Sequence, residues 1–507
     1  MRDVCVIGSG AAGAVAAAVL AEAGWDVLVL EQGEHVPPGT HLHDLIPGYE
    51  TARARDLDGG WTEEGYPWTA CCVGGGTRFY AGVSLRLRRV DFDATAHCAA
   101  EALPPAWPFG YDDLRPHYDW VERRLGVTSD GGLDPTRPSP PLDLLPPHRP
   151  SARGAALVAA GRALGRTPFP MPLAVASAPF AGAPACADLT TCTDFACPSG
   201  AKGDVHHRLL APLADRIEVR TGCKAVRLVE DRPGRVAAVE CLDVATGARE
   251  LVRARHFVVA ANAIQSAALL LRSRSAHSPD GLGNGRGVVG RGLCMKVGQN
   301  LTAHLDHDLD EIPAPKGGRY VTVAFTDNYL DQHCPSGLGG LVLETGPLDP
   351  ADIADRRVLR LECLVADQPV AENRVTLDWS TVDAYGLPRL VLDYRPHPLD
   401  LKRLDYLRDR ATEVLTRAGA ARVDPEPMDF SLGSGHLHGT CRMGTDPATS
   451  VCDPQGRVHG VVNVRVADGA LMPYPGAVNP ALTIQALAHR VATLLLHEET
   501  AAGTIPE

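Results

Sequence analysis

The chain has little that suits a membrane or a nucleic acid. No run of about 18 consecutive apolar residues, the length of a membrane-spanning helix, suggests a membrane span. The 507 residues include 49 Lys and Arg against 61 Asp and Glu, a net charge of −12, without a basic stripe that could neutralise phosphates. We therefore expect no membrane span and no nucleic-acid partner. A cationic small substrate is compatible with the acidic balance.

A secretory leader is not indicated either. The apolar residues near the N terminus have no basic segment before them, Asp3 lies at their start, and the glycines among them keep a nucleotide-binding spacing. We expect a cytoplasmic protein whose 14 cysteines are mostly reduced thiols. A chain of this length is also too long for one simple core, so two domains are expected.

The clearest pattern that is present joins an apolar strand to three glycines. Residues 4–13 read V-C-V-I-G-S-G-A-A-G, a strand followed by G-x-G-x-x-G. Gly8 allows a tight turn, Gly10 lets the backbone approach a pyrophosphate, and Gly13 lets the following helix pack close to the strand.

Two further features support a dinucleotide site. The helix after the glycines begins with Ala11 and Ala12, where N–H groups and the positive dipole end suit phosphates. A second strand, Val27–Leu30, leads into Glu31 and Gln32, where a carboxylate accepts hydrogen bonds from a ribose diol. Strand, helix and distal acid together predict a bound dinucleotide, and a glycine-rich turn without a ligand is the alternative.

A second glycine run occupies residues 73–77, V-G-G-G-T. Successive glycines expose backbone amides, so this segment suits another wall of a phosphate or flavin site, with a bare flexible turn as the alternative. The candidate cofactor contacts in and after this run are Gly75, Gly76, Thr77, Tyr80, Ala81 and Val83.

The middle of the chain returns to the nucleotide-domain pattern. Strands are predicted at residues 217–220 and 223–226, and an apolar strand at 257–261 leads into a helix. Val226 and Ala261, at the ends of two of these strands, are further candidate cofactor contacts.

From about residue 300 to 428 the pattern changes. Alternating runs at residues 320–325, 359–363 and 374–377 predict an antiparallel sheet. A helix from about residue 399 to 418 follows the sheet.

The C-terminal part holds several histidine and asparagine segments. Residues 435–444 read GHLHGTCRMG, residues 463–469 NVRVADG and residues 478–483 VNPALT. With the two glycine segments, they resemble the glucose–methanol–choline (GMC) flavoprotein oxidoreductases along essentially the whole chain. The run ENRVTL at 372–377 is similar to a strand of that family's substrate domain. Four ordered motifs are far more specific than one.

The resemblance implies a catalytic pair. His436 matches the family's base in the H-x-x-G-T pattern, and Asn479 matches the Asn or His that accompanies it. A neutral imidazole suits the removal of a hydroxyl proton near neutral pH, while the flavin accepts the hydride. In an extended segment His438 faces the same way as His436, so an accessory or structural role is kept for it.

The resemblance also implies the cofactor, FAD. Asp468, Gly469 and Thr483, with the Asn of the catalytic pair, match segments that pass beneath the flavin and its ribityl-pyrophosphate tail. Residues 76–83 match the loop at the other flavin edge. Some family members attach the flavin through a His in that loop, but residues 78–80 are Arg-Phe-Tyr here. Noncovalent FAD is therefore expected.

For the fold, the resemblance implies an α/β protein in which a Rossmann-like FAD-binding domain carries an inserted antiparallel-sheet substrate domain. The expected division is residues 1–95, 200–300 and 430–507 for the discontinuous FAD-binding domain, 96–199 for a loop-rich lid and 301–429 for the substrate-binding domain.

A narrower resemblance concerns the substrate. Residues 59–69, 199–204 and 436–442 are similar to the subgroup that oxidises paromamine-type pseudodisaccharides at C6′ in aminoglycoside antibiotic biosynthesis. It implies that a primary alcohol of a cationic aminoglycoside or sugar becomes an aldehyde, with onward oxidation to the acid as an option. Electrons pass to O2 or another acceptor, and a separate aminotransferase acts on the product.

Two alternatives stay open at this point. One is a sugar or glycoside oxidase that acts on a ring secondary hydroxyl. The other is a flavin-binding module without catalysis, against which His436 and Asn479 argue. Four acids are candidates for binding substrate ammonium groups, although a solvated surface charge is the favoured interpretation of each: Glu63, Glu64, Glu344 and Asp367.

Three cysteines lie close together in the sequence, Cys186, Cys192 and Cys197. Such a group could bind an iron–sulfur cluster or a zinc ion. Their spacing is not a ferredoxin run, and zinc needs a fourth ligand such as His206 or His207. We therefore expect structural thiols and no metal.

Overall fold

The computed structural model describes residues 1–45, 52–55, 59–65, 69–140, 142–189, 192–309, 321–346, 356–428 and 435–503. In this part of the chain the α-helices are Ala11–Glu22 (α1), Tyr111–Leu125 (α2), Ala152–Ala163 (α3), Asn262–Arg272 (α4), Pro398–Arg417 (α5) and Ala481–Ala501 (α6). The strands are Arg2–Ile7 (β1), Val27–Leu30 (β2), Ala52–Arg55 (β3), Trp61–Gly65 (β4), Phe169–Pro170 (β5), Ile217–Arg220 (β6), Cys223–Arg232 (β7), Arg235–Asp243 (β8), Arg249–Val259 (β9), Val297–Leu305 (β10), Val323–Phe325 (β11), Gly340–Glu344 (β12), Val358–Val365 (β13), Arg374–Val382 (β14), Pro388–Asp393 (β15), Ala420–Pro425 (β16) and Val464–Val466 (β17).

The first sheet is the predicted Rossmann-like one. Its strands run in the order β6–β2–β1–β9–β8–β7, and β17 also pairs with β9. The pairs around β1, β2, β6 and β17 are parallel, whereas the β7–β8 hairpin pairs antiparallel with the first half of β9. Val4, Cys5 and Val6 in β1 are fully buried, as expected at the centre of a parallel sheet. The carboxyl ends of β1, β2 and β9 therefore meet at one edge.

The second sheet is the predicted antiparallel one. Its strands run in the order β16–β10–β13–β12–β11–β5, and each pair of neighbours is antiparallel. Helix α5 packs against β10, β13 and β16. Because side chains alternate between the faces of a strand, the other face of this sheet is left to line a site.

The run at 374–377 belongs to a third sheet, so its assignment to the main antiparallel sheet is wrong. This sheet has the order β14–β15–β3–β4. β14 forms a hairpin with β15, and the other edge of β15 pairs in parallel with β3, from near the N terminus. Alternation in the sequence indicates a strand but not its partner, which long-range pairing decides.

Two pairings cross the expected domain boundaries. β5 comes from the expected lid, 96–199, and completes the edge of the substrate sheet, while β3 and β4 come from the first 95 residues. The three-part division remains a proposal. In it, β5 of the lid joins a sheet of the substrate-binding domain, and β3 and β4 of the FAD-binding domain join the sheet of β14 and β15. None of the described helices is both long and apolar enough to cross a membrane.

Candidate active site

A cavity of about 610 Å³ lies between the carboxyl edge of the first sheet and the open face of the second. Most of the sequence-predicted site residues line it together: Gly8, Gly10, Ala11, Ala12, Glu31, Gln32, Gly75, Gly76, Thr77, Tyr80, Ala81, Val83, Ala261, His436, Asp468, Gly469 and Asn479. The fold thus brings the two glycine segments and the C-terminal segments to one place.

The two glycine segments approach each other closely where a cofactor backbone would pass. A Cβ on Gly75 would lie 2.9 Å from the Cα of Gly10, whereas a Cβ on Gly10 would meet nothing closer than 3.8 Å. A Cβ on Gly76 would meet no atom within 4 Å. Gly10 and Gly76 therefore leave their space to the cavity, beside the N terminus of α1, and this cradle fits a pyrophosphate.

Gly8 and Gly13 serve the packing behind this cradle. Gly8 has φ +99°, and a Cβ on it would lie 2.4 Å from the carbonyl oxygen of Ala260. A Cβ on Gly13 would lie 1.9 Å from the carbonyl oxygen of Gly8, so α1 can approach β1 only without a side chain there. Gly13 itself does not line the cavity and contributes through helix packing, as the pattern predicts.

Ser9 couples the acid at the end of β2 to both glycine segments. Its backbone N–H and its hydroxyl donate to Glu31 Oε2 at 3.0 and 2.6 Å, and the Gly33 N–H donates to Glu31 Oε1 at 2.9 Å. The Ser9 oxygen in turn accepts from the Gly74 N–H at 3.2 Å. Burial raises the pKa of Glu31, which these hydrogen bonds partly offset. The sequence offered no reason to single out Ser9.

Asp468 organises the turn that leads toward the C-terminal segments. Its Oδ1 accepts from the Ala470 N–H at 2.9 Å, and its Oδ2 accepts from the Ser266 hydroxyl at 2.6 Å. Burial raises the pKa of this carboxyl to about 6. Asp468 thus joins helix α4 to the turn at residues 469–471 while also lining the cavity.

His436 and Asn479 stand side by side in the cavity, as the resemblance implies. Nδ2 of Asn479 lies 3.3 Å from Nε2 of His436, and Oδ1 of Asn479 is buried without a hydrogen-bond partner among the described residues. Burial, followed by the charge of Lys296, lowers the pKa of His436 to about 3. The imidazole is therefore neutral at physiological pH and able to accept a proton.

Tight backbone packing holds the His436 segment. Gly439 has φ +75°, and a Cβ there would lie 2.0 Å from the carbonyl oxygen of Gly292. Thr440 adopts φ +70° and donates its hydroxyl to the Ala263 carbonyl at 2.7 Å. The G-T pair after the histidine is thus needed for the close approach of this segment to α4 and to residues 292–294.

Besides Gly13, three other predicted site residues lie away from the cavity. His438 is fully buried, pairs through its backbone with Cys294 in both directions at 2.9 and 3.1 Å, and has no partner for its ring nitrogens among the described residues. Thr483 is fully buried and bonds the Tyr118 hydroxyl at 2.8 Å. Val226 packs against Leu242 instead, because β7 turns its side chain away from the edge. In its place Lys224 and Ala225 line the cavity.

Lys296 is a buried cation that sequence reasoning missed. Its Nζ donates to the carbonyl of Val478, the residue before Asn479. Its backbone has φ +62° and is held by Asp367, which accepts from the N–H groups of Met295, Lys296 and Val297 at 2.7, 3.0 and 2.8 Å. Burial lowers the pKa of Lys296 to about 8. No motif marks this lysine in the sequence.

Two of the four acids proposed for ammonium binding are engaged elsewhere. Asp367 holds the backbone around Lys296, and Glu344 accepts from the Ser151 hydroxyl at 2.6 Å and from the Thr322 N–H at 2.8 Å. Both are therefore structural. The side chains of Glu63 and Glu64 lie outside the described residues.

Among the described residues, the cysteine cluster does not form a metal-binding arrangement. Cys186, Cys192 and Cys197 are thiols, and His207 bonds Asp204 at 2.8 Å. Within the described ranges no three His, Cys, Asp or Glu side chains converge as metal ligands.

The chain matches known families, and it matches known proteins along nearly its whole length. The GMC oxidoreductase family matches residues 148–306 and 369–488, and the FAD dependent oxidoreductase family matches residues 3–44. A 6‴-hydroxyparomomycin C oxidase of Streptomyces lividus is 48% identical over 495 residues, and a paromamine 6′-oxidase of Streptomyces fradiae is 47% identical over 496 residues. Each alignment covers 97% of this chain and 90% of the relative.

Solved structures show the same fold at much lower identity. Pyridoxine 4-oxidase from Mesorbium loti is similar with a TM-score of 0.67 at 18% identity, covering 98% of this chain and 99% of that one. A formate oxidase variant of Aspergillus oryzae is similar with a TM-score of 0.68 at 15% identity, covering 99% of both chains. With the glycine cradle and the His–Asn pair in one cavity, these matches lead to one conclusion: the chain belongs to the GMC oxidoreductase family and is an FAD-dependent oxidoreductase.

Proposed function

We propose that the chain oxidises a primary alcohol of an aminoglycoside, the C6′ hydroxyl of a paromamine-like substrate, to the aldehyde. The observation that carries the proposal is the His436–Asn479 pair in the same cavity as the glycine cradle. The names of two relatives, at 48% and 47% identity, support the substrate class.

For the oxidation of an alcohol, the protein must supply a base and a hydrogen-bond donor. Oxidation of an alcohol removes a hydroxyl proton and a hydride, and bound FAD supplies the hydride acceptor. Nε2 of His436 takes the hydroxyl proton, because the neutral ring keeps a lone pair there. The Asn479 amide donates to the substrate oxygen and does not compete for its proton.

The same site allows a second oxidation. An aldehyde hydrate is a diol, so the carboxylate is a further product that this proposal includes. The aldehyde is the substrate that a separate aminotransferase needs, and O2 or another acceptor reoxidises the enzyme. We also propose that the protein acts in the cytoplasm, as the sequence predicts.

The test is anaerobic reduction of the purified enzyme by paromamine. We expect the visible flavin absorbance to bleach, and mass spectrometry to show loss of two hydrogens or the acid, with the aldehyde trapped by a carbonyl reagent. The control is 2-deoxystreptamine, which has no primary hydroxyl and leaves the flavin oxidised. Bleaching by glucose with oxidation at a ring secondary hydroxyl, and none by paromamine, would move the function to the sugar-oxidase alternative.

A further inference from the structure

One carboxylate of the second sheet, that of Glu362, lines the cavity. Glu362 lies on β13, directly opposite Asn300 on β10 and Leu343 on β12, and all three side chains line the cavity. The alternate residues Leu361 and Cys363 are fully buried on the other face. Glu362 therefore belongs to the part of the cavity wall that the second sheet contributes, in the same cavity as His436.

The neighbouring cation does not neutralise this carboxylate by direct contact. Arg360 also lines the cavity, but its Nε donates to Glu426 at 2.9 Å and to the Thr302 hydroxyl at 3.1 Å. Its Nη1 donates to the carbonyl of Gly346. The guanidinium thus hydrogen-bonds to Glu426 at the sheet edge, and the carboxylate oxygens of Glu362 remain available as acceptors.

Glu362 has no hydrogen-bond donor of its own within the described residues. Its pKa is raised to about 7 by burial, and only the charges of Arg360 and Lys296 act in the other direction. Glu344, a fully buried acid of the same sheet, has Ser151 and Thr322 as donors. Partial withdrawal of a carboxylate from water without donors is costly, and a bound cation lowers that cost.

Asn300 supplies a second open acceptor beside Glu362. Its Oδ1 is buried and has no hydrogen-bond partner in the described part of the chain. A carboxylate and an amide oxygen together offer acceptors, which match a primary ammonium with its three N–H donors. A neutral hydroxyl matches them less well, because it has a single donor.

We infer that Glu362 and Asn300 form a subsite that binds an ammonium group of the substrate and so orients the reacting hydroxyl toward His436. The inference rests on the proposed function for the identity of the substrate. It assigns this role to a residue that the sequence did not mark, in place of Glu344 and Asp367, whose oxygens are engaged elsewhere.

The test is Glu362→Gln, which keeps the volume and removes the charge. In anaerobic stopped-flow reduction, we expect the Kd for paromamine to rise about 10- to 100-fold, as for loss of a hydrogen bond to a charged group. The limiting rate of flavin reduction should change much less. The matched control is Asp424→Asn, which removes an exposed carboxylate from the same sheet outside the cavity and should leave the Kd unchanged. Paromamine acetylated on its amino groups should bind both variants and the wild type alike.

An unchanged Kd in Glu362→Gln, or an equal rise in Asp424→Asn, overturns the inference while leaving the proposed function intact. If the wild type does not oxidise paromamine, the proposed function fails, and calorimetric titration with glucosamine and with 2-deoxystreptamine decides the inference separately. Weaker binding of either amine to Glu362→Gln than to wild type supports the subsite. Equal binding of both amines, or binding of neither, overturns it.

Discussion

Asn479 and His436 contact each other through their side chains, with Nδ2 of Asn479 3.3 Å from Nε2 of His436. With the amide in this orientation Nδ2 donates, so Nε2 is the acceptor and Nδ1 carries the proton of the neutral ring. In the proposed reaction the substrate hydroxyl donates to Nε2 and accepts from Nδ2. This orientation of the amide is the one that suits the proposed base.

The first prediction separates the two histidines of the segment. His436→Ala should keep FAD and slow anaerobic flavin reduction by about 10²–10⁴-fold, because a proton acceptor is lost from the reaction. His438→Ala should change that rate far less and should lower the melting temperature, since His438 is fully buried outside the cavity. Stopped-flow reduction and thermal unfolding of both variants check this, and the reverse ranking would assign the base to His438.

The second prediction concerns Lys296. A nearby positive charge lowers the pKa of His436, so Lys296→Met should raise that pKa. The fall of the flavin reduction rate at acid pH should then begin at higher pH than in the wild type. Loss of the donor to the Val478 carbonyl should also lower the limiting rate about tenfold, because Asn479 is held less well.

The control for this variant is Lys296→Arg, which keeps the charge and should keep the position of the acid limb. The measurement is the limiting rate of anaerobic flavin reduction across the pH range. An acid limb in Lys296→Met that coincides with the wild type would show that the lysine acts by packing alone.

The third prediction concerns the glycine cradle. Gly10→Val should fold yet lose bound FAD, because its side chain has room only in the cavity. Gly285→Val is the matched control, since that exposed glycine also has open space around it but lies away from the cavity. The flavin-to-protein absorbance ratio and circular dichroism report the outcome. A folded, fully loaded Gly10→Val protein would refute the placement of the pyrophosphate.

The fourth prediction is that the flavin is bound without a covalent link. The residues at 78–80 have other partners: Arg78 bonds Asp204 at 3.1 Å, Tyr80 bonds the Gly203 carbonyl at 2.9 Å, and Phe79 is buried. Acid precipitation should therefore leave all FAD in the supernatant. Yellow colour that stays with the precipitated polypeptide after washing would contradict this.

Much of the site was predictable from local patterns. Gly8, Gly10 and Gly13 belong to one short local motif, although Gly8 and Gly10 approach Ala260 and Gly75, which are distant in the sequence. The resemblance likewise placed His436 beside Asn479, and the structure shows the pair in contact. Gly8 and Gly13 are positions where a side chain would clash with the backbone, so their residue type could be read from the motif.

The remaining parts of the site depend on which strands pair and which way each face turns. Alternation around 359–363 predicted a strand, but its pairing with β10 and β12 is what turns Glu362 toward the cavity. Two predictions from the local sequence failed. Val226 faces away from the site, and the run at 374–377 joins another sheet.

The sequence by itself determined the nucleotide-binding motif, the proposed catalytic pair and the family of the protein, because short segments carry them. Only the tertiary structure placed Lys296 against the carbonyl of Val478, next to Asn479, and Glu362 in the same cavity as the glycine segments. A buried charge takes its role from groups that are distant in the chain, and their distances are set by the packing of whole sheets and helices.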